Sequence, residues 1–151
     1  MKTFTKTLTI VIAVGSVAWT SMFIYWHVKI TGLIRTLESA AGNQDGYATY
    51  EALRYGAGCR ALPYLVRALD PAKNPYFLER ATLLLAIGTD EPGIKGDWWS
   101  VGSPHGREWR ISLDDQPVER KLKCERVREY WFREGFRHHQ TWRIWTRQCS
   151  P

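Results

Sequence analysis

The chain has 151 residues, with 21 Lys and Arg against 15 Asp and Glu, a net charge of +6. That length holds one small domain beside one membrane-crossing segment. Lys2, Lys6, Lys29 and Arg35 account for +4, which leaves residues 36–151 at only +2 and excludes a nucleic-acid footprint spread over the whole protein.

The stretch Leu8 to Val28, LTIVIAVGSVAWTSMFIYWHV, contains no Lys, Arg, Asp or Glu across 21 residues. About 20 apolar helical residues cross the roughly 30 Å hydrocarbon layer, so this segment is expected to be a transmembrane helix. Thr9, Ser16, Thr20 and Ser21 can bond their hydroxyls to the helix's own carbonyls. Tyr25 and Trp26 suit an interfacial aromatic belt. A cleaved signal peptide is the rival reading, with Lys2 and Lys6 as its charged region and Ser16 and Ala18 before a cut at Trp19. The apolar run continues through Met22, Phe23, Ile24, Tyr25, Trp26 and Val28, which favours an uncleaved anchor. Positive charge is slightly richer before the span than after it, which places the amino terminus in the cytoplasm and the rest of the chain on the opposite side.

Ile30, Leu33, Ile34 and Leu37 continue an apolar stripe at helical spacing, so the anchor helix is expected to run on as a polar extension to about Ala41. Gly42, Asn43, Asp45 and Gly46 read as a stop and turn. A short helix over Tyr47–Tyr55 follows, ended by Gly56 and Gly58. Arg60–Leu69 is amphipathic: Ala61, Leu62, Leu65, Val66, Ala68 and Leu69 share one side, and Arg60, Pro63, Tyr64 and Arg67 the other. Pro63 is tolerable because it falls in the first turn. Tyr76–Gly88 is apolar on most of its sides and must be covered on most of them.

The segments CRALPYLVRALDP and LERATLLLAIGTDE resemble a HEAT repeat. Ala61, Leu62, Pro63 and Leu65 match the first helix of that family, Asp70 its turn, and Ala81, Leu85, Ile87 and Gly88 its second helix. The likeness spans about residues 47–91, roughly one and a half repeats, with a turn at Pro71–Pro75 longer than usual. The resemblance implies a helical interaction surface for a protein partner. So few units do not stand alone as a solenoid, so other parts of the chain must cap them.

Beyond Glu91 the pattern changes. WWSV at Trp98–Val101 and REWRISL at Arg107–Leu113 flank the turn-rich GSPHG, which suits either a short β-hairpin near 98–113 or an irregular loop pinned by Trp. Asp114 or Asp115 is expected to cap a helix over Val118–Glu134 with Pro117 in its first turn. Cys124, Val127 and Trp131 form one stripe on that helix, with Leu122 and Tyr130 off it. The expected fold class is therefore mainly α: an amino-terminal transmembrane helix with its flanks (1–35), a small HEAT-like helical domain (36–134) with a loop or hairpin insert at 92–117, and a basic, Trp-rich tail (135–151).

Candidate chemistry is sparse. No GxSxG, HExxH, P-loop or GxGxxG occurs, and no catalytic residue, cofactor site or metal site is assigned. His138 and His139 are adjacent, so their side chains point apart on a helix and do not complete a metal site. An enzyme would need a concave pocket holding at least two of His105, Asp114, Asp115, His138 and His139, gathered from a distance. Cys59, Cys124 and Cys149 leave one thiol odd, with no CxxC and no zinc spacing, while one disulfide stays open. Residues 118–151 carry nine Lys and Arg against four Glu. The candidate interaction surface is Tyr64, Arg67, Arg137, Trp142, Arg143, Trp145 and Arg147. Its expected partner is a protein held beside the membrane, with anionic lipid as the alternative for the basic tail and nucleic acid disfavoured. A buried packing role for Trp142 and Trp145 competes with both.

Overall fold

The computed structural model describes residues 2–40, 44–89 and 108–135. It is mainly helical, with no strand among the described residues. Helix α1 (Lys2–Ser39) is one continuous rod of 38 residues. Its apolar part is long and apolar enough to cross a membrane, and Ile10, Val14, Val17 and Ile24 stand exposed along it. The hydroxyls there bond within the helix: Ser16 Oγ donates to the Ile12 carbonyl and Thr20 Oγ1 to the Ser16 carbonyl, both at 2.8 Å.

Beyond Val28 the same helix changes surroundings without a break. Ile30, Ile34 and Leu37 are buried in one core with residues from every later helix, and Leu33 packs against it. Helix α2 (Gln44–Glu51) then runs back alongside α1 and widens into a π-helical turn (Ala52–Ala57). Gly46 is closely surrounded: a Cβ there would run into the Arg80 guanidinium of the later helix over Pro75–Thr89 and lie 3.2 Å from the Ala40 Cβ, so a side chain would force these neighbours to shift. A 3-10 turn (Gly58–Ala61) reverses the chain. Gly58 holds φ 56° and ψ −140°, a conformation essentially reserved for glycine.

Helix α3 (Leu62–Ala68) and helix α4 (Pro75–Thr89) form the next antiparallel pair. Ala61, Leu62, Leu65, Val66 and Leu69 face the core, while Arg67 is exposed, as the amphipathic pattern requires. Asp70 closes the intervening turn by accepting the Ala72 amide at 2.9 Å, and Lys73 ties that turn to Glu38 of α1. Phe77, Leu78, Ala81, Leu84, Leu85 and Ala86 are all buried, so α4 is the central helix.

Of the segment read as a hairpin or pinned loop, residues 98–107 lie outside the described set. Glu108–Leu113 forms no strand, yet Trp109 and Ile111 are buried and pin the segment to α4. The buried Thr82 hydroxyl donates to the Leu78 carbonyl at 2.8 Å and accepts the Ile111 amide at 3.2 Å. Thr82→Val keeps the shape but strands that buried amide. Urea unfolding is expected to show a loss of about 1–3 kcal/mol.

Helix α5 (Pro117–Tyr130) continues into a second π-helical turn (Trp131–Gly135). Its stripe of Cys124, Val127 and Trp131 is buried, and Tyr130 packs on Trp109 with ring centroids 4.9 Å apart. Arg128 donates to the Leu69 carbonyl at the end of α3, joining the two helices. The expected aspartate cap is corrected. Pro117 occupies the first helical turn, Gln116 is the N-cap, and neither caps through a side chain. Asp115 instead accepts the Ser112 amide at 2.8 Å and the Lys123 ammonium at 2.7 Å.

Partial burial opposes the Asp115 charge, but the bonds from Lys123 and Ser112 outweigh it and hold the carboxyl below its ordinary value. A carboxyl whose folded pKa is lowered stabilises the fold above its unfolded pKa and loses that contribution as pH falls through the folded one. Asp115→Asn is therefore expected to flatten the acid limb, with a loss below about 1 kcal/mol near neutral pH that vanishes in strong acid. Urea midpoints measured across that range check it.

Candidate functional site

Two surfaces emerge from this packing. The first is the junction where the apolar rod enters the domain. Because α2 and its π turn run back along α1, the Tyr55–Arg60 reversal returns to the level of Trp26 and His27. Arg60 is held over the Trp26 ring, 4.6 Å from its centroid, and Lys29 lies 5.1 Å from the same centroid. Tyr64 Oη lies 3.3 Å from His27 Nδ1, and the two rings are 5.5 Å apart. Tyr25 and Trp26 pack edge to face at 5.5 Å, and Lys29 also donates to Tyr25 Oη at 3.4 Å. This collar of aromatic and basic groups lies at the end of the apolar stretch Leu8–Val28, where α1 enters the domain.

The junction explains where two of the candidate surface residues lie. Tyr64 is half-buried against the anchor helix instead of standing on an open face, while Arg67, one turn further along α3, is exposed. Arg137, Trp142, Arg143, Trp145 and Arg147 lie outside the described residues, as do His105, His138 and His139.

The second surface is the outer side of α5. Val118 and Leu122 are one turn apart and Phe132 lies close to the same line. They are 71%, 51% and 72% exposed. Glu125 and Glu129 stand between them, paired with Lys121 and Arg133. Sequence reasoning set Leu122 off the buried stripe but did not draw it together with Val118 and Phe132. The spacing of four between Val118 and Leu122, on the side away from Cys124 and Val127, is the part of that signal the sequence carries.

Among the described residues no group of three or more His, Cys, Asp or Glu is placed to hold a metal ion. Asp115, one of the candidate carboxylates, is engaged by Lys123 and Ser112. Cys124 is fully buried, and burial pushes its thiol up to about 11, which suits packing and not nucleophilic attack.

Comparison with protein-family models, curated proteins and solved structures found no significant match.

Proposed function

We propose that this protein is a single-pass, membrane-anchored, non-catalytic interaction module that holds a small helical surface beside the bilayer for a protein partner. The observation that carries the reading is the continuity of α1: Ile10 to Tyr25 stand exposed as an apolar rod, and Ile30, Ile34 and Leu37 of the same helix are core residues of the domain. A flexible tether would place the domain anywhere near the membrane; a shared helix gives it one height and one orientation. In this reading α3 and α4 form a HEAT-like unit, capped by α1 and α2 on one side and by α5 on the other. The amino terminus lies in the cytoplasm and the domain opposite.

The partner surface in this proposal includes the outer side of α5, where three large apolar side chains are exposed on one face. An apolar core ringed by charge is the usual anatomy of a protein-binding patch. Photo-crosslinkers placed at Leu122 and Phe132 in native membranes test it. The expected result is one discrete protein adduct from both positions, unchanged by salt and absent with a crosslinker at Val17. Labelling of lipid alone, or adducts that vanish with added salt, contradicts it.

A further inference from the structure

We propose that the collar at the anchor–domain junction is a binding site for the phosphate of an anionic phospholipid, which docks the domain flat against its leaflet. Six residues build it: Tyr25, Trp26, His27 and Lys29 from α1, and Arg60 and Tyr64 from the reversal and α3.

Depth comes first. A helix that spans the bilayer with Leu8–Val28 places the Tyr25–Lys29 turn among the headgroups. Any residue of the domain in contact with that turn lies at the same depth, which brings Arg60 and Tyr64 there from more than 30 positions away in the chain.

Charge comes second. Lys29 and Arg60 converge on one indole ring from two separate elements, at 5.1 and 4.6 Å. An anion reaching this collar therefore meets basic groups from two separate elements around one aromatic ring. Lys29 is exposed and forms no ion pair with a carboxylate among the described residues. By contrast, Lys73 at the opposite end of the domain is paired with Glu38.

Donor chemistry comes third. The Lys29 ammonium and the Tyr64 hydroxyl supply hydrogen bonds suited to phosphate oxygens, and the Trp26 and Tyr25 rings supply the apolar footing that an acyl–glycerol boundary fits. The ligand is thus a headgroup presented at a bilayer surface, not a soluble phosphate.

This proposal rests on α1 spanning the membrane, and its test separates the two. The full chain is placed in nanodiscs of phosphatidylcholine alone, or of phosphatidylcholine mixed with phosphatidylglycerol, and backbone hydrogen exchange is followed over residues 55–64. Exchange is expected to slow in the phosphatidylglycerol discs by about fivefold per engaged basic side chain. That slowing is expected to shrink by about fivefold in Lys29→Gln and to be lost in the double variant Lys29→Gln, Arg60→Gln. Exchange over Phe77–Leu85 reports whether each variant keeps its core. Lys29 is exposed, so the single variant decides the matter if the double one loosens the fold. Equal exchange in the two lipid compositions, slowing undiminished in Lys29→Gln, or slowing reproduced by inorganic phosphate in phosphatidylcholine discs would each overturn the proposal. Failure of the span itself reads differently: the chain would leave both kinds of bilayer on carbonate washing.

Discussion

Replacing Ile30 by Asp is expected to unfold the helical domain without releasing the chain from the membrane. Ile30 is fully buried in the core that α1 shares with the rest of the domain. The substitution removes a large apolar side chain and puts a carboxylate into an apolar core. The penalty is expected to exceed about 4 kcal/mol, a large part of the stability of a domain this size. Residues 8–28 are untouched, so carbonate-washed membranes are expected to retain the variant. Limited proteolysis is expected to cleave it beyond residue 40 far faster than the parent chain. Equal protease resistance would mean that the domain folds without α1.

Phe77→Ala is expected to cost about 3–5 kcal/mol. Phe77 begins the buried face of α4, the helix covered on most of its sides, and is among the largest side chains with no exposure. Lys73 stands over the outer edge of its ring, 5.2 Å from the centroid, and at the same time reaches Glu38 of α1. Truncation leaves a cavity and loosens the contact that fastens the turn between α3 and α4 to α1. Urea unfolding of the solubilised chain checks the magnitude. A loss below about 1 kcal/mol would show that α4 is not the centre of the core.

Both variants probe features that local periodicity made legible. The stripe Ile30–Leu33–Leu37 marked α1 as a helix with one buried side beyond the span, and α3 and α4 followed from spacing and from Pro63, Asp70 and Pro75. The Cys124–Val127–Trp131 stripe likewise identified the inner face of α5. Other features depend on distance. The Trp26–Arg60 and His27–Tyr64 contacts join residues 34 and 37 positions apart, and nothing in either segment names the other. The π turn at Ala52–Ala57 does not announce itself either, since Gly56 and Gly58 read equally well as a plain helix stop. The Asp114–Asp115 pair misses the cap by one residue of register: with Pro117 in the first turn, Gln116 takes the cap and Asp115 is left to turn back toward Ser112 and Lys123.

The second surface shows the same limit in another form. Leu122 sits off the buried stripe, and a sequence pattern registers that as an imperfection in an amphipathic helix. Packing turns it into a position: with Cys124 and Val127 inside, Val118, Leu122 and Phe132 must lie outside. Whether the outward face of a charged helix is apolar enough to matter is decided by which neighbours cover it, and spacing alone does not contain that information.

Depth measured along one chain tests the central claim most directly: α1 crosses the bilayer and then becomes part of the domain core, setting the domain's height. Nitroxide labels at Val17, Tyr55 and Ala72, in full-length protein in nanodiscs, are compared by their accessibility to oxygen and to a water-soluble relaxation agent. The account predicts Val17 in hydrocarbon, Tyr55 at the headgroup boundary and Ala72 fully in water. A Val17 label as water-exposed as Ala72 would contradict the span, and Tyr55 and Ala72 labels at the same distance from lipid would contradict the fixed orientation.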